Sequence, residues 1–236
     1  MRSLGLALII ALAIVATVVI PAAAQSELVL QPQHYTSDKA KRLATTHRVA
    51  LDELSTSLYH CLPWLEIQRG SIGFFKPKHA TTDDRYLSVR VFVEQEASAS
   101  FARLGHEQRA AAMFSRYVGH LIQRMTANKA IMDDPDIAGF TTIIEWVKPN
   151  ASVNGRAVHE TIAVFVDKAV AQPYLTGRAS GSELGKRARV LGFDGETALG
   201  ELRLAAWDDD FASTFQVRNY KAPNGLDCRL TTRSQK

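Results

Sequence analysis

Two dipeptides, His106-Glu107 and His159-Glu160, come closest to a catalytic motif in this 236-residue sequence. Each opens the His-Glu-x-x-His pattern of zinc proteases, in which two imidazoles one helical turn apart grip the metal and the Glu activates water. Ala110 and Ala163 stand where the second His is needed, so neither can form that site. His159 also falls in an expected strand, where a spacing of four does not share a helical face. Gly181-Ser182-Glu183-Leu184-Gly185-Lys186-Arg187 is one residue short of a phosphate-binding loop, and Arg187 replaces the hydroxyl that holds magnesium. Ser180 is displaced by one position from a Gly-x-Ser-x-Gly elbow. No Ser-x-x-Lys follows residue 24, and there is no Cys-x-x-Cys, which excludes thiol–disulfide exchange and paired-thiolate zinc binding. No metal and no cofactor is therefore expected.

Two features stand above this background. Glu160 shares the face of a strand with Val158, Ile162, Val164 and Val166. A carboxylate turned toward an apolar interior costs several kcal/mol unless it is paired, so such a group belongs either at the rim, with its head in water or on an Arg, or in a ligand or acid–base site. The second is Trp207-Asp208-Asp209-Asp210, an aromatic beside three carboxylates that could bind calcium or a sugar. The alternating acids, Gly and Glu of a calcium loop are missing, and a turn between two strands is the plainer account. Trp64 and Trp146 are expected as core aromatics.

The elements that carry these residues follow a leader. Arg2, an apolar run from Leu4 to Ile20, Pro21 and Ala22-Ala23-Ala24 have the order of a secretory signal, with cleavage expected between Ala24 and Gln25. The competing reading is an uncleaved anchor, since the run sits at the lower limit for crossing a bilayer. Residues 25–236 are expected to be a single secreted or periplasmic domain with no further membrane segment. Without Arg2 the balance is 27 basic to 24 acidic residues. The two small basic clusters, Lys39/Lys41/Arg42/Arg48 and Arg178/Lys186/Arg187/Arg189, read as solvated faces, with a polyanion site as the alternative, and nucleic-acid binding is not expected. Export would place Cys61 and Cys228 where an isolated pair becomes a disulfide.

Periodicity supplies the rest. Leu43, Ala50, Leu54 and Leu58 mark a helix from Ser37 to about His60, and Phe114, Val118, Leu121 and Met125 mark a longer one within Ser98–Asn128, divided near Gly105. A short helix is expected over Ser182–Leu191. Strands are expected at Glu66–Lys76, Tyr86–Glu94, Phe140–Lys148, Ala157–Asp167, Leu199–Trp207 and Phe211–Arg218. Phe75-Lys76-Pro77 matches Val147-Lys148-Pro149, and Val91-Phe92-Val93-Glu94 matches Val164-Phe165-Val166-Asp167, which suggests half-repeats over 37–97 and 98–180. The expected class is α+β: a largely antiparallel sheet of five to six strands with helices on one face, built as helix–hairpin repeats.

With every local motif incomplete, the sequence favours an exported, non-catalytic binding or accessory protein, its partner an envelope component or small ligand. The alternative is a small secreted hydrolase whose carboxylates and histidines assemble from distant positions, since such sites are set by geometry and not by spacing. A cleft holding Glu160 against His159 or another distant His would mark the enzyme.

Overall fold

The computed structural model describes residues 27–78, 80–93 and 99–205 together with Cys228. Ser37 caps the first helix, its Oγ accepting from the Ala40 amide. The expected single helix is two, α1 (Asp38–Thr46) and α2 (Arg48–Cys61). The break falls at His47, which is 6 % exposed, with its ring turned inward and Nε2 2.7 Å from Asp134 Oδ2. A buried polar ring that must find a partner overrides the helical pattern there.

The expected strand Glu66–Lys76 is likewise divided, into β1 (Glu66–Ile67) and β2 (Gly73–Phe75), by a turn through Gly70 at φ +63°. Both pieces pair antiparallel with β3 (Arg85–Val93). Next comes a helical run: α3 (Ala99–Ala102), α4 (His106–Met113), a π-helical turn over Phe114–Val118, α5 (Gly119–Met125) and α6 (Lys129–Asp133). This run is the crossover that lets β4 (Ile137–Val153) lie parallel to β3. Sequence reading ends β4 at Lys148, whereas the strand runs on through Pro149. The ladder register shifts between Val147 and Ser152, so no paired amide is required of the proline. Asn154 and Gly155, at φ +52° and +75°, then form the tight turn into β5 (Arg156–Asp167).

After α7 (Lys168–Leu175), helix α8 spans Gly181–Arg187, with Ser180 and Glu183 forming a reciprocal cap. Sequence reading carries this helix to Leu191. Instead Arg189–Asp194 is β6, because Val190 and Leu191 have a long-range partner in β5. A further strand, β7, covers Thr197–Glu201, and Leu202–Ala205 has no strand assignment. The expected strand Phe211–Arg218 lies outside the described residues.

Among the described residues the sheet has seven strands in the order β1-β3-β4-β5-β6-β7, with β2 also on β3, and all pairs but β3–β4 are antiparallel. The fold is therefore α+β with a mostly antiparallel sheet, as expected, with more strands than anticipated because one expected strand is two and β6 replaces the end of a helix. Leu87, Val89, Val91, Phe140, Ile144, Ile162 and Val164 turn to one face, where they share a buried core with Leu51, Leu58, Phe114, Leu121 and Ile122 of the helices. No helix among the described residues is long and apolar enough to cross a membrane.

Cys61 and Cys228 form the expected disulfide, with Cα atoms 5.3 Å apart and a sequence separation of 167. Closing so long a loop restricts the unfolded chain, so Cys61→Ser/Cys228→Ser should lower the unfolding free energy by up to roughly 5 kcal/mol. Urea titration under oxidising conditions measures this; identical midpoints for the variant and the parent chain would refute it.

Candidate active site

Strand alternation sets two opposite tasks side by side. On β4, Glu145 faces outward and Trp146 inward; on β5, His159 faces outward and Glu160 inward. Trp146 and Glu160 are direct cross-strand partners, and Glu145 lies diagonally from His159, within reach of a long side chain.

On the inner face Glu160 is fully buried. Arg109 clamps it with two hydrogen bonds, Nε to Oε2 at 2.7 Å and Nη2 to Oε1 at 2.5 Å. Trp146 donates Nε1–H to Oε2 at 2.9 Å, and His106 Nδ1 lies 3.1 Å from Oε1. His106 and Arg109 reach one carboxylate because a spacing of three puts them on one face of α4. Arg109 also donates to the Leu104 carbonyl, which ties the guanidinium to the backbone before the helix. The His106 ring stacks on Trp146 at 6.4 Å, and Gly192 makes room for it: a Cβ there would lie 3.1 Å from His106 Nε2 and 2.6 Å from Leu202 Cδ1. Burial alone would raise the Glu160 carboxyl, but the hydrogen bonds of Arg109 and the nearby charges of Arg109 and His106 outweigh it and hold it down to about 2.

This clamp has a consequence for acid stability. Glu160 starts from an ordinary value of 4.5 and is held ionised into stronger acid when folded than when unfolded. Its contribution is therefore complete above about pH 4.5 and drains away as the pH falls toward about 2. Asp134 adds to the same limb: burial opposes its charge, but the hydrogen bonds from His47 and the Asp136 amide leave its carboxyl below the usual range. Urea midpoints should fall steadily between pH 5 and pH 3; a flat profile there would contradict both assignments.

On the outer face Glu145 holds three partners. Arg90 Nη2 donates to Oε2 at 2.6 Å, Gln68 Nε2 donates to the same oxygen at 3.3 Å, and His159 Nδ1 is 2.8 Å from Oε1. The Glu145 side chain is 12 % exposed and that of His159 39 %. The Phe92 ring lies 5.3 Å from the imidazole and steadies it. Nδ1 is the ring nitrogen set against the carboxylate, and Nε2 stands on the opposite side of the ring. A carboxylate on one imidazole nitrogen with the other free is how a histidine base is oriented.

Beside this pair runs a groove of about 630 Å³ over the outer sheet face. Arg90 and Gln68, the two residues that hold Glu145, line it, as does Thr161, the cross-strand neighbour of Glu145. Gly195, whose amide donates to the His159 carbonyl at 2.8 Å, lines it too.

The expectation of a non-catalytic protein is corrected by these contacts. Buried or half-buried carboxylates meet histidines three times, as His47–Asp134, His106–Glu160 with Arg109, and His159–Glu145. Two of these pairs unite residues far apart in sequence and the third joins adjacent strands, an assembled arrangement suggestive of acid–base chemistry that disfavours excluding an enzyme. Glu160 meets a distant histidine, but that partner is His106, and His159 goes to Glu145. Trp207, Asp208, Asp209 and Asp210 lie outside the described residues. Trp146 is a core aromatic as expected, with the added task of donating to Glu160. Of the first basic cluster, Lys39 and Arg42 pair with Asp136 and Arg48 with Asp52. No group of three or more His, Cys, Asp or Glu among the described residues could hold a metal ion.

Sequence reasoning passed over Glu145, Arg90 and Arg109. The outward parity of Glu145 beside Trp146 was legible, but its diagonal relation to His159 required the strand register. For Arg109, the i, i+3 spacing from His106 was the available signal. Comparison of the chain with protein-family models, with curated proteins and with solved structures finds no match in any of the three.

Proposed function

We propose that this chain is an exported hydrolase in which His159, oriented by Glu145, is the general base. The observation that carries the proposal is the 2.8 Å contact of His159 Nδ1 with a carboxylate already fixed by Arg90 and Gln68 at the side of an open groove. Of the three histidine–carboxylate pairs, this one combines a half-exposed imidazole with space for a substrate. His47 spends Nε2 on Asp134, and both ring nitrogens of His106 are buried.

The chemistry follows from the free nitrogen. His159 Nε2 removes a proton from water as the water oxygen bonds to the substrate carbonyl carbon. The imidazolium so formed is stabilised by the Glu145 carboxylate, and its proton passes to the alkoxy oxygen as the single bond from the carbonyl carbon to that oxygen breaks, releasing alcohol and carboxylic acid. Glu145 is a positioning residue, and Arg90 and Gln68 hold it in turn. The Arg109–Glu160–Trp146 clamp, directly behind the pair, pins β4 to β5 at the register on which Glu145 and His159 meet. The leader ending at Ala24 and the Cys61–Cys228 disulfide support export.

The test is release of alcohol from a panel of carboxylic esters by the purified oxidised chain, with His159→Gln in parallel. Turnover that vanishes in the variant supports the proposal. No turnover by the parent chain on any ester, or equal rates for the two proteins, would overturn it.

A further inference from the structure

The groove is not chemically uniform, and its two kinds of lining are sorted. Across β4, β5 and β6 the outer face presents Ile143, Phe165, Leu191 and Phe193, which form the apolar floor of the groove. At the end remote from His159 the chain after β2 contributes Lys76, Pro77 and Lys78. Both lysines are exposed, and neither has an ion pair among the described residues. The other cations of the lining, Arg69 and Arg90, are paired with Glu27 and Glu145, and no acidic residue among the described residues lines the groove. In the floor, Thr141 is 4 % exposed, and its hydroxyl has no hydrogen-bond partner among the described residues. A buried hydroxyl left unpaired costs free energy that a bound polar group would recover.

From this arrangement we infer that the groove takes a free, amphipathic carboxylate, its apolar body along Ile143, Phe165, Leu191 and Phe193 and its anionic end at Lys76 and Lys78. The volume suits a molecule of that size, and an apolar floor with a few placed polar groups is how such ligands are held. Charge complementarity sets the direction. The lysines hold the anion, and the rest of the body runs toward Thr161 and His159. Thr161 and Phe165 are four strand residues apart, about 13 Å, which is the span the apolar body covers. This inference rests on the hydrolase proposal only for the identity of the substrate. It makes the substrate an ester whose apolar chain carries a carboxylate at the end away from the scissile bond. The binding of the anion stands by itself.

The two can therefore fail separately. Binding of dodecanoate to the oxidised chain is measured by calorimetry, with dodecanol as the uncharged control and vesicles containing anionic phospholipid as a third arm. Lys76→Glu/Lys78→Glu is compared with the parent chain after thermal unfolding shows both to be folded; the exposed, unpaired lysines predict that they are. The expected result is saturable dodecanoate binding, weaker by at least roughly tenfold for dodecanol and for the double variant. Equal affinity for dodecanol, no loss in the double variant, no binding of dodecanoate, or binding to vesicles alone would each overturn the inference. Those results leave ester turnover by His159 untouched. Normal dodecanoate binding with no ester turnover would instead remove the hydrolase and keep the anion site.

Discussion

Replacing His159 with Gln should lower ester hydrolysis by about 10²–10⁴-fold, the usual contribution of a positioned general base. Gln keeps a polar side chain near Glu145 but has no basic nitrogen, so the loss should fall on kcat with little change in KM. Stability should stay within about 0.5 kcal/mol of the parent, because the side chain is 39 % exposed and lies on the outer sheet face. Glu145→Gln supplies the comparison that a general packing effect would not reproduce. Its amide oxygen can still accept from Nδ1, but it cannot stabilise the imidazolium, so kcat should fall by less than in His159→Gln. If both variants lose activity only in proportion to a loss of folded protein, the proposed division of labour is wrong.

Arg109→Met should be the most destabilising single substitution of a charged residue described above. It leaves Glu160 fully buried without its two strongest hydrogen bonds, and breaking a buried pair from one side costs about 3–5 kcal/mol. For a chain of this length that corresponds to a fall in Tm of roughly 10 °C. Adding Glu160→Gln should recover part of the loss, because the stranded charge goes with it; the difference between double and single variants measures the coupling. Arg109→Met should also flatten the decline in stability between pH 5 and pH 3, since the guanidinium is a principal reason that Glu160 stays ionised there. A fall of less than about 1 kcal/mol would mean that the clamp is not a structural element.

How far the sequence disclosed this arrangement depends on the range of the interaction involved. Period-two alternation in β3 and β5 correctly assigned Leu87, Val89, Val91, Ile162 and Val164 to one face, since side-chain direction in a strand is a local property. Ser37 as a cap was legible from local hydrogen bonding, and the disulfide, though long-range, from there being a single partner for each cysteine. His47 broke a helix because of Asp134, 87 residues away, and β6 replaced the end of a helix because β5 was beside it. No local rule carries either fact. The site failed to show for the same reason. His159-Glu160 looked like half of a metal motif, whereas the strand sends the two side chains to opposite faces and into different partnerships. Its functional neighbour, Glu145, is set by the register of β4 on β5 and by Arg90 arriving from β3.

The most direct test concerns which nitrogen of His159 carries the proton. Long-range ¹H–¹⁵N correlation spectra of the histidine rings, with His159→Gln to assign the signal, report this in the neutral imidazole. A base oriented by Glu145 requires the proton on Nδ1, toward the carboxylate, and a bare Nε2. A neutral ring found instead with its proton on Nε2 would set two lone pairs against each other at 2.8 Å, and His159 could not be the base.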